Sequence, residues 1–190
     1  MIVRKSTIIV AVFICSIVSG VMAAVSPAQV LSITLGSGTG GPGGDVGIPL
    51  YVTVGADEKW DRIVAVVEYP VVLTYRRVDA NPDAVASGVA IKANEPSPPE
   101  GGQKKRVEVR IEGGKGKPVP KGIIGSLFFD IDKEARPQMI SLPLVEVKGL
   151  GQGSQQEVPL RGNPGSVAIY APGTEPTGPN PLLGCFFFTH

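Results

Sequence analysis

The side chains that most often carry catalysis are scarce in this sequence. The only histidine is His190, the last residue, so neither a histidine-activated nucleophile nor a histidine-based zinc site is available in the body of the chain. Asp130 and Asp132 lie two residues apart in one predicted strand and therefore share a face. Glycoside hydrolysis needs two carboxylates that flank the substrate instead. The sequence predicts no enzyme, no metal and no cofactor.

A glycine-rich segment satisfies the dinucleotide-binding pattern G-x-G-x-x-G over residues 36–41. That pattern holds a phosphate only where a helix begins directly after it, because the helix amides bind the anion. Here Pro42, Gly43 and Gly44 follow, and a strand pattern comes next. We therefore predict a strand-to-strand loop over residues 36–44 and no nucleotide site.

Aromatic side chains are the remaining candidates for ligand binding, since a flat ring can stack on a sugar. Seven lie between the first 24 residues and the last 20: Tyr51, Trp60, Tyr69, Tyr75, Phe128, Phe129 and Tyr170. Trp60 sits in a polar segment, residues 57–62, and is predicted to be exposed. Most of the others lie in strand patterns and are expected in the core. Trp60 is therefore the candidate ligand-binding residue.

Apolar residues alternate with polar ones in about nine short segments, and no long helical stripe is present. Turn signals separate the segments every 8–15 residues, and 25 glycines and 18 prolines disfavour helix. This pattern predicts an all-β sandwich or barrel. The predicted strands cover residues 29–35, 46–54, 63–68, 72–78, 85–93, 107–111, 123–131, 142–147 and 167–170. Two polar stretches, residues 94–103 and 113–121, are predicted to be exposed hairpin loops.

The first 24 residues have the pattern of a cleaved secretory signal peptide. Arg4 and Lys5 precede an uncharged apolar run over residues 6–19, and small residues follow it. A membrane-spanning helix needs about 20 apolar residues, and Gly20 ends this run sooner. We expect cleavage after Ala23 or Ala24, export to the exterior or the cell surface, and no membrane span in the mature protein.

The mature chain of about 166 residues is expected to be one domain, residues 25–170, with a tail. Loss of Arg4 and Lys5 lowers the formal charge from +1 to −1. Its basic clusters, Arg76–Arg77 and residues 104–106, are short and separate. A near-neutral chain of this kind has no electrostatic footprint for nucleic acid.

The C-terminal segment, residues 171–190, combines a flexible Pro/Gly-rich linker with an apolar end. Cys185 is the only cysteine that remains after signal cleavage, so no internal disulfide can form. Its thiol is free, bridges two molecules or belongs to a terminal signal. Residues 184–186, Gly-Cys-Phe, resemble the start of a "G-C-F-I-A-T-A-A-Y-G" signature that ends many exported bacterial proteins. Cys185 is therefore a candidate tether.

Four strand motifs, in order, resemble those of bacterial cohesin domains. Residues 44–50, Gly-Asp-Val-Gly-Ile-Pro-Leu, are similar to the second strand, and residues 66–73, with Tyr69 and Pro70, to the "φ-x-Y-D-P-x-x-L" segment. Residues 125–131 resemble the "L-x-F-x-I" strand, and residues 165–169 the closing "G-x-V-x-I/V" strand. The Asp expected between Tyr69 and Pro70 is missing. The resemblance spans residues 29–170.

This resemblance implies a nine-stranded jelly-roll β-sandwich whose first and last strands pair at an edge. It also implies an exported bacterial module that binds a dockerin-type protein in the assembly of polysaccharide-degrading complexes. Two alternatives stay open. The domain is a carbohydrate-binding module that uses Trp60 to recognise a polysaccharide directly, or a structural surface component tethered through its tail.

Overall fold

The computed structural model describes residues 31–55, 58–95, 104–114 and 116–174. The segment predicted to be a signal peptide and all but residues 171–174 of the predicted tail lie outside these ranges. Within them, no helix is long and apolar enough to cross a membrane. The elements are β1 (Ser32–Leu35), β2 (Ser37–Gly40), β3 (Asp45–Thr53), β4 (Trp60–Pro70), β5 (Leu73–Ala80), α1 (Pro82–Ala86), β6 (Ala90–Asn94), β7 (Lys104–Glu112), β8 (Gly122–Ile131), β9 (Gln138–Leu142), β10 (Leu144–Gly151), β11 (Glu157–Pro159), β12 (Arg161–Asn163) and β13 (Gly165–Ile169).

The thirteen strands of the described residues form nine continuous runs, because four of the breaks are a single residue long. Gly36 separates β1 from β2, and Pro143 separates β9 from β10. Leu160 and Pro164 divide the last run into β11, β12 and β13. Proline has no amide hydrogen to donate, so Pro143 and Pro164 interrupt the ladder without ending the extended chain. The predicted nine-stranded all-β fold is confirmed.

Two five-stranded sheets form the layers of the sandwich, in the orders β12-β1-β3-β8-β5 and β11-β10-β4-β7-β6. A third sheet, β2-β13-β9, joins them at one edge, because β2 continues β1 of the first layer and β9 continues β10 of the second. Within it, β13 runs parallel to β2, with Ser166 opposite Ser37 and Ile169 opposite Gly40. The first and last strands therefore pair, as predicted.

The core lies between the layers and is built by alternation, since successive strand residues point to opposite faces. In β4, Ile63, Ala65, Val67 and Tyr69 are buried while the residues between them are half-buried. No buried polar or charged residue occurs in the described ranges. Apolar side chains therefore fill the space between the two layers. The largest fully buried side chains are Tyr69, Phe129, Leu31, Ile33, Ile48, Leu50, Ile63, Leu73, Ile111, Ile124, Leu127 and Leu142.

The prediction of a loop over residues 36–44 is wrong for Ser37–Gly40, which form β2. Gly38 and Gly40 point inward and are buried. A Cβ atom at Gly38 would lie 2.5 Å from Cγ2 of Val46, and one at Gly40 would lie 2.6 Å from Cδ1 of Ile131. The glycines therefore let β2 approach the core closely, a role that their low strand propensity hides in the sequence.

The predicted strand over residues 85–93 is also partly wrong. Pro82–Ala86 form the short helix α1, and only Ala90–Asn94 are extended as β6. The side chain of Asn81 caps the helix by accepting a hydrogen bond from the amide of Asp83, 2.9 Å away. Pro82 occupies the first turn, where its missing amide hydrogen costs nothing. This local capping signal overrides the apolar alternation of Val85, Val89 and Ile91.

The stretch 113–121 is not the wholly exposed hairpin loop that the sequence predicts. The amide of Val119 donates to the carbonyl of Trp60 at 2.7 Å, and the amide of Gly113 donates to that of Asp61 at 2.8 Å. Val119 is only 2% exposed. This segment therefore folds back on the start of β4 and adds to the core. Residues 96–103 of the other predicted loop lie outside the described residues.

We expect Gly38→Ala to lower the free energy of unfolding by about 2 kcal/mol, as overpacking of a tight core does. The new methyl group would displace Val46 and would also lie 2.8 Å from the carbonyl oxygen of Gly47. Urea denaturation followed by fluorescence measures the change. Gly151→Ala is the matched control, because its Cβ would meet its first neighbour at 3.9 Å. Equal stability of the two variants would contradict a packed role for β2.

Candidate binding face

The outer face of the β11-β10-β4-β7-β6 sheet carries one acidic and one basic row of side chains. Each row crosses a valine of β4. Val66 of β4 lies between Glu146 of β10 and Glu108 of β7. One step along the sheet, Val64 lies between Lys148 and Arg110. We call this surface the charged face. Lys92 and Asn94 of β6 and Glu68 of β4 extend it.

Strand β6 extends both rows toward the sheet edge. Asn94 lies opposite Glu108, and Lys92 lies opposite Arg110. The acidic row therefore ends in an amide and the basic row in a third cation. Side chains alternate between the two faces of a strand, and the odd-numbered residues of β4 are buried in the core. Val64 and Val66 therefore point to the outer face. Both valines are half-buried.

Opposite charges of the two rows form ion pairs between residues of the same strand. Arg110 lies 3.4 Å from Glu108 on β7, and Lys148 pairs with Glu146 on β10. The carboxylate of Glu146 raises the pKa of Lys148, chiefly through their hydrogen bond. These four side chains are between 34% and 49% exposed. Pairs this exposed contribute little to stability, so they can exchange partners at low cost.

A bulge in β10 adds an exposed apolar side chain next to Glu146, at the end of the acidic row. The register shifts between Leu144, opposite Val67, and Glu146, opposite Val66, which leaves Val145 as the extra residue. Val145 is 45% exposed. Val145 is therefore an exposed apolar residue at the end of the acidic row, and the apolar middle of the charged face is the pair Val64 and Val66.

Glu68 anchors the end of this face where β4 meets the start of β7. It accepts hydrogen bonds from Lys104 at 2.8 Å and from Arg106 at 3.1 Å, and its side chain is 13% exposed. The hydrogen bond from Lys104, with that from Arg106, lowers the pKa of Glu68 against the opposing effect of burial. Lys104 and Arg106 of the basic cluster at residues 104–106 are thus ion-paired within the chain.

Behind Glu68, the buried Tyr69 ties the end of β6 to the core. Its ring packs edge-on against Phe129 with 5.1 Å between centroids, and its hydroxyl donates to the carboxylate of Glu95. Burial, reinforced by Glu95, raises the pKa of Tyr69. Burial likewise raises the pKa of the neighbouring Tyr75. The tyrosine of the sequence motif therefore holds Glu95, at the exit of β6, beside the charged face.

The structure places Trp60 at the start of β4, away from the valine pair. Its ring lies over Gly149, where a Cβ atom would come 2.7 Å from Cε3, and its Nε1 donates to Glu58 at 3.3 Å. The indole is half-buried and packs against the core, so less of it is free for stacking than the sequence suggests. Its role in ligand binding stays a prediction. Cys185 lies outside the described residues, and its role as a tether also stays a prediction.

Of the two aspartates considered for catalysis, Asp130 lies in β8 and Asp132 directly after it, so the prediction that they share one strand is wrong for Asp132. Asp130 is exposed and 3.5 Å from Arg76, while Asp132 accepts a hydrogen bond from the amide of Glu134 in the following turn. Together they line an open depression of about 730 Å³. Within the described ranges, no group of three or more His, Cys, Asp or Glu side chains is placed to hold a metal ion.

The sequence contains part of the signal for the charged face. The alternation of β7, with Val107, Val109 and Ile111 buried, already directs Glu108 and Arg110 outward. Two features were missed: Val64 and Val66, which read as core residues in a continuous apolar run, and the contribution of β10. The rows become visible only when the register brings Glu146 and Lys148 beside β4.

We expect Glu68→Gln to lower the free energy of unfolding by about 1 kcal/mol at pH 7, since its partners are well exposed. A depressed pKa in the folded state contributes stability above the ordinary value of 4.5 and loses it as the pH falls further. The difference between variant and parent should therefore shrink as the pH falls below 4.5 and through the lowered pKa of Glu68. Denaturation at several pH values measures it. Glu134→Gln, at an exposed turn position, is the control, and a difference that persists at low pH would contradict the assignment.

Comparison with known proteins identifies this architecture. No family model matches the sequence, and no curated protein matches it. Solved structures do match. The third cohesin of ScaC from Acetivibrio cellulolyticus, solved in complex with the ScaB dockerin, aligns with a TM-score of 0.59 at 13% identity. The alignment covers 74% of this chain and 99% of that chain.

Two further structures extend the comparison. A type I cohesin–dockerin complex of OlpA from Clostridium thermocellum gives a TM-score of 0.56 at 13% identity, with 74% of this chain and 99% of that chain covered. A non-cellulosomal cohesin from the archaeon Archaeoglobus fulgidus gives 0.55 at 16% identity, with 74% and 91% covered. At 13–16% identity, these matches show a shared fold rather than a closely shared sequence. The described part of this chain therefore has the fold of a cohesin domain.

Proposed function

We propose that this chain is an exported, non-catalytic module that binds a dockerin-type protein through the charged face. The observation that carries the proposal is the valine pair, Val64 and Val66, enclosed by the two rows of charge. Protein interfaces commonly have an apolar centre and a polar rim. The fold supports the same function, since cohesins of this architecture have been solved bound to dockerins.

The electrostatics of the charged face favour a protein partner of mixed charge. An acidic row that ends at Asn94 lies beside a basic row that ends at Lys92. A partner that places a basic row over the acidic row and an acidic row over the basic row is attracted. If the partner is shifted by one row, like charges face each other and repel. Charges arranged in this way contribute to specificity and association rate more than to affinity. The module therefore selects its partner by register.

Attachment of this kind places the module in the assembly of exported polysaccharide-degrading complexes. The module itself contributes binding, and the catalytic chemistry belongs to the partner. The resemblance of the strand motifs and the predicted export signal support this setting.

We expect Val66→Asp to weaken dockerin binding at least about tenfold, because it adds a third carboxylate between Glu146 and Glu108 and removes the apolar centre. Isothermal titration of the full chain with dockerins from the source organism measures the affinity. Ile123→Asp is the matched control, since Ile123 is a 41% exposed β-branched residue of the opposite sheet.

The parent affinity should also fall as salt screens the two rows. Failure of the parent chain to bind any dockerin tested would overturn the proposal. An equal loss of affinity in Val66→Asp and Ile123→Asp would place the interface elsewhere.

Export gives a separate expectation for the N-terminus. If residues 1–24 are a signal peptide, the protein recovered from the culture medium or cell surface begins at Ala24 or Val25. N-terminal sequencing of the recovered protein tests this, with the double variant Ala23→Arg and Ala24→Arg, which should block cleavage after either residue, as the control. A recovered chain that begins at Met1 would contradict cleavage.

A further inference from the structure

On the outer face of the β12-β1-β3-β8-β5 sheet, the rings of Pro49, Tyr51 and Phe128 form a strip and pack over glycine residues. On β3, the outward positions are Gly47, Pro49 and Tyr51. A Cβ atom at Gly36 would lie 2.6 Å from Cγ of Pro49 and 3.2 Å from Cε2 of Tyr51, so both side chains occupy the space above that glycine. One at Gly47 would lie 3.0 Å from Cε1 of Phe128. The missing side chains thus let the rings rest against the sheet.

The two aromatic rings of this strip differ in what covers them. The guanidinium of Arg77 lies over Phe128, 4.3 Å from the ring centroid, and its Nε donates to Asp79 at 2.8 Å. Phe128 is therefore already stacked on a partner. Tyr51 is half-exposed, and the residue opposite it on β8 is the exposed Ile123. Tyr51 is the ring of the strip that a ligand can reach.

Tyr51 also lines an open depression of about 450 Å³ at the end of β3 and the start of β8. This volume lies within the range of small-molecule sites, about 300–1,000 Å³. Thr53 and Lys121, both exposed, bring a hydroxyl and an ammonium to the same depression. The residues that line it include no carboxylate. One flat apolar ring therefore stands beside a small set of hydrogen-bonding groups.

The chemistry that matches this arrangement is a pyranose ring. A pyranose has an apolar face of C–H groups that stacks on an aromatic ring, and a rim of hydroxyl groups that both donate and accept hydrogen bonds. Thr53 can donate or accept, and Lys121 can donate. Because the only charge in the lining is positive, an acidic sugar gains a further attraction that a neutral sugar lacks.

We propose that Tyr51 is a polysaccharide-binding residue that stacks on a pyranose ring held in this depression by Thr53 and Lys121. The site belongs to the sheet opposite the charged face, so it does not depend on dockerin binding. It differs from the Trp60 site suggested by sequence, because the ring of Tyr51 borders an open depression whereas that of Trp60 packs over Gly149.

Retention of the purified full chain on insoluble cellulose, chitin, xylan and polygalacturonate tests the site. We expect retention on at least one of them and about a tenfold loss of affinity in Tyr51→Ala, the size expected for one aromatic contact. Tyr51→Phe should retain binding because the ring remains. Lys121→Gln should weaken binding to polygalacturonate more than to the neutral polymers.

Tyr170→Ala is the matched control, since Tyr170 is also half-exposed and also lies against a glycine, Gly41, elsewhere on the domain. It should bind as the parent does, and both alanine variants should keep the parent's thermal midpoint and dockerin affinity. Failure of the parent to bind any of the four polymers would overturn the inference. So would parental retention by Tyr51→Ala, or a loss confined to Trp60→Ala.

Discussion

The two-residue alternation of its strands is the constraint on which the rest of this domain depends. Because no polar or charged residue is buried in the described part of the chain, the register rests on apolar packing between the layers. A slip of one residue in β7 would bury Glu108 and Arg110 and expose Val109 and Ile111. The packing of the core therefore determines the outer surface. The register that buries Val107, Val109 and Ile111 is the same register that aligns the rows of charge.

Closure of the sandwich depends on a second constraint, the space left by glycine. The first run of the chain must lie close enough to β3 for Gly38 and Gly40 to face the core, and also pair with β13. The hydroxyls of Ser37 and Ser166 lie 2.8 Å apart across this parallel pair, and the side-chain amide of Asn163 donates to Thr34 at 2.9 Å in the parallel pair of β12 with β1. These polar contacts join the two ends of the domain outside its apolar core, so they fix the pairing without burying a polar group.

The sequence predicts those parts of the fold in which local pattern and tertiary role agree. The alternation in β3, β7 and β8 is read directly, and the order of four motifs indicates the family of folds. The sequence pattern is misleading at β2, a strand in which two of the four residues are glycine. It is also misleading at α1, because Val85, Val89 and Ile91 alternate as in a strand although Asn81 and Pro82 start a helix. It predicts only the β7 part of the charged face, because Val66 obtains its acidic neighbours from β7 and β10, which are distant from β4 in sequence. Only the register brings Glu108 and Glu146 together.

The two outer faces differ in chemistry for a reason that follows from their strands. The charged face is built on β7, whose outward residues alternate in sign, and on β10, which repeats that alternation with Glu146 and Lys148. On the opposite face, the outward positions Gly47, Pro49 and Tyr51 of β3 carry no charge, while Arg77 of β5 lies over the neighbouring ring of Phe128. Rows of charge fit a partner that offers its own charges in register, as a folded protein does. A flat ring beside a hydroxyl and an ammonium fits a sugar. Because the core separates the two faces, occupation of one leaves the other accessible, and a single domain of this kind can join a protein to a polysaccharide.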